Sequence, residues 1–164
     1  MPRIGLGTNR LTTAPEHVRF IRDAVSVGVR HIDTAHLYTD GDSERAIGGA
    51  LDGIGDEVLV ATKGSYRPGE GRQVVLSEQI EQSLRSLRTE TIGLCYLRRV
   101  DPETPLEESL GAIKTYVDRG VIRHVGISDV TVEQIERARQ VGDIAAVQNR
   151  YNLADREHGD VIDY

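Results

Sequence analysis

Short apolar runs alternate with amphipathic stretches along the whole chain. The apolar runs, bounded by turn residues, predict strands at Arg3–Gly7, Arg30–Thr34, Glu57–Lys63, Thr91–Leu97, Ile122–Ser128 and Ala145–Arg150. Between them apolar residues recur at helix spacing. Leu76, Ile80, Leu84 and Leu87 fall on one helical face, as do Leu106, Leu110, Ile113 and Val117, and Val18, Ile21 and Val25. Thr13 with Glu16, and Thr131 with Gln134, have the spacing of capping boxes, with Pro15 in the first turn of the earlier one. Gly28 and Gly120 stand where helices should stop and can take the left-handed conformation.

Five βα units and the start of a sixth imply a mainly parallel sheet, because each return to the same sheet edge needs a helical crossover. Two architectures satisfy this pattern: a doubly wound open sheet and a parallel (β/α)8 barrel of the TIM type. A closed barrel typically needs about 250 residues. At 164 residues the chain is too short to close one. No linker or low-complexity tract divides it, so residues 1–164 are expected to form one domain.

Composition adds exclusions. The net charge is −6, and no basic stripe is present, which argues against nucleic-acid binding. No run of about 18 apolar residues exists for a membrane span. The N-terminus lacks a secretory pattern, so a cytoplasmic location is expected. Cys95 is the sole cysteine, which leaves no disulfide framework, and the His, Asp and Glu spacings suggest no metal site.

Parallel α/β proteins place their sites at the carboxyl ends of strands. At those ends lie Asp33 and Thr34 with Tyr38 just beyond, Lys63, Arg98 and Arg99, Ser128 and Asp129, and Gln148 and Asn149. Singly each has an ordinary structural reading, Asp33 as a helix cap or Tyr38 as a rim aromatic. Together Asp33, Tyr38 and Lys63 can build an acid. A phenol has a reference pKa near 10, and a neighbouring ammonium held by a carboxylate stabilises the phenolate and lowers that value. Gly5-Leu6-Gly7-Thr8 is a weak phosphate-loop candidate, because Arg10 stands where a third Gly belongs. Tight backbone packing is its alternative reading.

The ordered series of motifs resembles the aldo-keto reductase family over the whole chain. It comprises Pro2–Thr8, Arg30-His31-Ile32-Asp33-Thr34-Ala35 with Tyr38, Ser43-Glu44 with Ile47-Gly48, Val60–Lys63, Ile92–Leu97, Val125–Ser128 and Ala146–Leu153. The resemblance implies a (β/α)8 barrel, incomplete here, that transfers hydride from NADPH (or NADH) to the carbonyl of a small aldehyde or ketone. Tyr38 would be its general acid, with Lys63 and Asp33 as the tuning pair. Ser128 and Gln148 would hold the nicotinamide carboxamide, with Asp129 beside them. Gly7, Thr8 and Asn9 would pass close to the cofactor.

The chain departs from the family pattern in three places. Arg98 stands where the family has a catalytic His, and Asp129 where an Asn usually follows Ser128. Arg98 either points into the site or turns outward toward Asp101 or Glu103. The chain also reaches only Tyr164, within the unit after the sixth strand. A longer protein is the expectation, with a half-barrel that self-associates through its open edges as the alternative. The departures also leave open a second reading, a catalytically weak relative that serves as a binding or assembly module.

Overall fold

A computed structural model describes residues 4–54 and 57–164. Six strands run β1 (Leu6–Gly7), β2 (His31–Asp33), β3 (Leu59–Gly64), β4 (Ile92–Leu97), β5 (Ile122–Ser128) and β6 (Ala146–Gln148). Among the described residues six α-helices alternate with them, α1 (Pro15–Ser26), α2 (Asp42–Ala50), α3 (Gln73–Leu87), α4 (Leu106–Asp118), α5 (Val132–Arg139) and the short α6 (Gly159–Asp163), with a 3-10 turn at Tyr38–Gly41 before α2. Every neighbouring strand pair is parallel, and the sheet order is the chain order, β1 through β6. Arg3, the first residue of the first expected strand, lies outside the described residues.

The sheet curls. Gln148 on β6 donates from Nε2 to Asp33 Oδ1 on β2 at 2.9 Å. In a flat sheet four strand spacings of about 4.8 Å would separate those strands by roughly 19 Å. Consecutive helices pack on one another, α1 on α2 through α4 on α5. The unreversed strand order and the curl together exclude the doubly wound sheet and leave a half-barrel with its helices outside.

Burial follows the apolar stripes. Leu76, Ile80, Leu106, Leu110 and Ile113 join Cys95, Leu97 and Ile127 of the sheet's outer face in one core. Ile21, Val25, Ala46, Ile47 and Ile32 form a second under α1 and α2. Truncating a fully buried member such as Ile113 to Ala costs about 2–5 kcal/mol. Close helix contact depends on Gly48, where a Cβ would come within 2.5 Å of Ser86 O. The inner face carries small residues and polar ones, with a compact apolar layer of Ala61, Leu94 and Tyr96.

Capping follows the sequence at one helix start and departs from it at another. Thr131 and Gln134 make the expected reciprocal capping box on α5. Thr13 and Glu16 do not make theirs. Pro15 holds the preceding Ala14 extended (ψ 138°), so α1 begins one residue too late for Thr13 to be its N-cap. Instead the His17 ring accepts the Thr12 N–H at 3.0 Å. Gly28 and Gly120 end α1 and α4 at φ 104° and 73°.

Candidate active site

The registers of the parallel strands carry Asp33, Lys63, Ser128 and Gln148 to the same inner rim. Asp33 pairs with Ala61, Lys63 with Tyr96, and Ser128 with Gln148. At the centre the Lys63 ammonium, almost wholly buried, donates to Asp33 Oδ2 at 2.6 Å and to Thr34 O at 2.7 Å. The other Asp33 oxygen accepts from Gln148, so the carboxylate is held from both sides. Lys63 Nζ lies 5.1 Å from the Tyr38 ring centroid and 6.0 Å from that of Tyr96. Tyr38, Lys63 and Asp33 therefore do meet. Burial first, and the Asp33 charge second, push the Tyr96 phenol up to about 12, so that residue stays neutral beside the ammonium.

Below this group lies a polar layer with no solvent access. Ser43 donates to Thr8 Oγ1 at 2.7 Å, and Thr8 donates to Asp33 O at 2.9 Å. Thr8 is thus buried beneath the site with its hydroxyl engaged by protein. Gly7 at the rim has open space in front of it, and Asn9 lies in the exposed turn after β1. Gly5 packs tightly, as its alternative reading has it: a Cβ there would stand 2.5 Å from the His31 ring. Burial lowers the His31 pKa, an effect that Asp33 opposes and Lys63 reinforces.

Arg98 extends the β4 ladder by donating its backbone N–H to Gly64 O at 2.8 Å. Its guanidinium turns neither to Asp101 nor to Glu103. Nη1 pairs instead with Asp129 Oδ2 at 3.2 Å, and Arg99 reaches the same oxygen at 3.2 Å. Asp101 is already committed, because it accepts backbone N–H bonds from Gly69, Gly71 and Glu103 and a hydroxyl bond from Thr104. Asp129 holds a left-handed backbone (φ 60°), fixed by donation of its N–H to Gln148 O. Thr39, Asp40 and Ser65 share that conformation at this same end of the sheet (φ 48°, 53° and 66°). Strain in non-Gly residues collects at functional sites when the surroundings over-determine it.

Sequence reasoning missed Tyr66. Its ring meets Tyr38 edge-on at 6.4 Å and His36 at 5.8 Å, under the Arg98 guanidinium at 5.6 Å. The signal available was an aromatic three residues beyond Lys63, at the end of the sheet where the candidates gather. A cavity of about 770 Å³ at the opposite end of the strands, lined by Arg30, Leu59, Arg88 and Arg123 among others, contains none of the candidate residues.

Comparison with known proteins agrees with this geometry. The sequence pattern of the Aldo/keto reductase family matches residues 3–164. The chain belongs to that family. It is 34% identical to the aldo-keto reductase YhdN of Bacillus subtilis, over 94% of this chain and 51% of the relative. It is 31% identical to pyridoxine 4-dehydrogenase of Escherichia coli, over 89% of this chain and 56% of the relative. A thermostable aldo-keto reductase crystallised with the inhibitor epalrestat superposes with a TM-score of 0.87 at 30% identity, over 95% of this chain and 60% of that one. An aldo-keto reductase from Klebsiella pneumoniae, crystallised with NADPH, gives 0.84 at 30% identity, over 95% and 56%. The chain thus spans about half the length of the curated relatives it matches. Its six strands correspond to the curled part of the aldo-keto reductase barrel they cover.

Proposed function

We propose that this chain carries the catalytic side chains of an NADPH-dependent (or NADH-dependent) reductase that converts an aldehyde or ketone to an alcohol. The observation that carries the reading is the buried Lys63–Asp33 pair set against the Tyr38 ring. When bound, a reduced nicotinamide supplies hydride to the carbonyl carbon. As the C=O π pair moves onto oxygen, Tyr38 donates its phenolic proton to that oxygen and becomes a phenolate. The Lys63 ammonium stabilises the phenolate, and Asp33 with Thr34 O holds the ammonium in place.

The donor set on the inner rim fits the nicotinamide end of such a cofactor. A carboxamide needs both a donor and an acceptor, and the paired Ser128 hydroxyl and Gln148 side chain offer both. Gly7 leaves room at the rim for close approach. Family members crystallised with NADP or NADPH support the choice of cofactor. We assign Asp129 the role of counter-ion to Arg98, at the edge of the same site. Self-association through the strand edges at β1 and β6 belongs to the same proposal, for this chain by itself.

The test is isotope transfer in the full-length protein. Incubation with an aromatic aldehyde and NADPH carrying deuterium at both C4 positions is expected to give an alcohol labelled at the former carbonyl carbon. Alcohol without label, or no alcohol, overturns the reading.

A further inference from the structure

The loop after β3 is tied down by hydrogen bonds at most of its residues. The Ser65 N–H donates to Gln79 Oε1 at 2.9 Å. Glu70 Oε2 accepts from the Tyr66 and Arg67 N–H groups at 2.8 and 3.1 Å. Asp101 takes the N–H groups of Gly69 and Gly71 at 3.0 and 2.8 Å. Burial works against the Glu70 charge, but the two backbone bonds outweigh it and lower its pKa, so the anchor stays ionised.

This frame presents one side chain to the site. The Tyr66 ring is fixed edge-on by Tyr38 and His36 and covered by Arg98, and His36 is itself bonded through Nδ1 to Lys63 O at 3.0 Å. Yet the Tyr66 hydroxyl is buried and has no hydrogen-bond partner among the described residues. An unpaired buried hydroxyl is unfavourable, and an acceptor placed at the adjacent Tyr38 phenol would satisfy this one. Burial, and then the neighbouring Tyr38, raise the Tyr66 pKa far above that of a free phenol. Tyr66 therefore remains a neutral donor when the adjacent phenol gives up its proton.

We propose that Tyr66 is a second hydrogen-bond donor to the substrate's carbonyl oxygen, acting beside Tyr38. The proposal rests on the reductase reading above. In the reduction the oxygen gains the π pair and receives the Tyr38 proton. Tyr66 donates a hydrogen bond to the growing negative charge and keeps its own proton, so the balance of the reaction is unchanged. Arg98 is a positioning residue here: pinned by Asp129, its guanidinium covers the Tyr66 ring. Preorganised donors of this kind act on charge that develops in the transition state.

Tyr66→Phe removes the hydroxyl and keeps the ring. In the full-length protein, kcat for benzaldehyde is expected to fall about ten- to hundredfold, toward the range for loss of one oxyanion donor. The KM for NADPH should stay within about twofold, and the melting temperature should equal or exceed that of the parent, because an unpaired buried hydroxyl is gone. Acetate, a carboxylate probe for the same oxygen position, is expected to bind the NADP-loaded variant about tenfold more weakly by NMR titration, in keeping with loss of one charge-assisted hydrogen bond. Unchanged kcat and acetate affinity overturn the proposal and leave the reductase reading intact. So does a loss of kcat matched by a lower melting temperature, which marks a merely structural hydroxyl. If the parent reduces no aldehyde, the reductase reading fails. The acetate arm then decides on Tyr66 alone, with weaker binding in the variant supporting the donor and equal binding overturning it.

Discussion

Arg98 and Asp129, the two candidate site residues read in the sequence as departures from the family resemblance, form an ion pair, 3.2 Å apart across the ends of β4 and β5. Each explains the other. A guanidinium in place of an imidazole adds a permanent positive charge at the mouth, and a carboxylate in place of an amide compensates it. Arg99 shares the same carboxylate oxygen, so the cluster is electrostatically a unit.

Single reversions should therefore disappoint. Arg98→His leaves Asp129 with one cation fewer and uncovers Tyr66, while Asp129→Asn leaves two guanidinium groups side by side. We expect Arg98→His/Asp129→Asn to reduce aldehydes faster than the sum of the single effects allows. A coupling of about 1–2 kcal/mol in a double-mutant cycle on kcat/KM is the expected size for contacting charges. Additive effects would contradict the pairing.

The Lys63 side chain is buried against Asp33, with almost no exposure to solvent. Lys63→Met should lower kcat by about 10²–10⁴, the usual range for loss of assisted proton transfer. Cofactor affinity should change little, because Lys63 faces Tyr38 rather than the Ser128–Gln148 edge. Steady-state kinetics together with a cofactor-binding titration separate the two effects.

Asp101 gives the loops a measurable pH signature. Burial opposes its charge, but three backbone N–H bonds and the Thr104 hydroxyl outweigh this and bring its pKa down to about 2. The unfolded value is near 3.9. A carboxylate depressed on folding stabilises fully above the unfolded value and loses that contribution as pH falls from about 4 through 2. The contribution is about 1–2 kcal/mol once solvent screening is allowed for. Urea unfolding of Asp101→Ala should show a deficit at neutral pH that shrinks below about pH 3. A deficit independent of pH would contradict the assignment.

Much of the fold was legible because it rests on periodicity. All six strands lie at the apolar runs: β5 matches residue for residue, β3 starts two residues later and ends one residue later than expected, and the others are shorter at their ends. The Asp33, Tyr38 and Lys63 group was legible because strand ends of a parallel sheet share one rim. What was not legible depends on side-chain direction across strands. Nothing in sequence spacing says that Arg98 reaches Asp129, 31 positions on, rather than the nearby Asp101. Nor does it say that Asp101 is filled by backbone donors from the β3–α3 loop. Tyr66 was missed for the same reason: its place is set by Glu70, Gln79 and Asp101 through backbone bonds that carry no residue pattern.

The open edges also make a prediction for this 164-residue chain on its own. Among the described residues β1 and β6 each have only one strand neighbour, and Val147, Tyr151, Leu153 and Ile162 are exposed near the β6 side. Unpaired edges and clustered apolar surface promote association. Light scattering should find dimers or larger species at micromolar concentration. A monodisperse monomer with cooperative melting would contradict this.

We propose that Tyr38, set beside the Lys63 ammonium, delivers the proton to a carbonyl oxygen. The most direct measurement compares the full-length protein with its Tyr38→Phe variant, following loss of reduced-nicotinamide absorbance with an aromatic aldehyde. Turnover in the parent, a fall of about 10²–10⁴ in kcat for the variant and unchanged cofactor binding are expected. Equal turnover in parent and variant would contradict it.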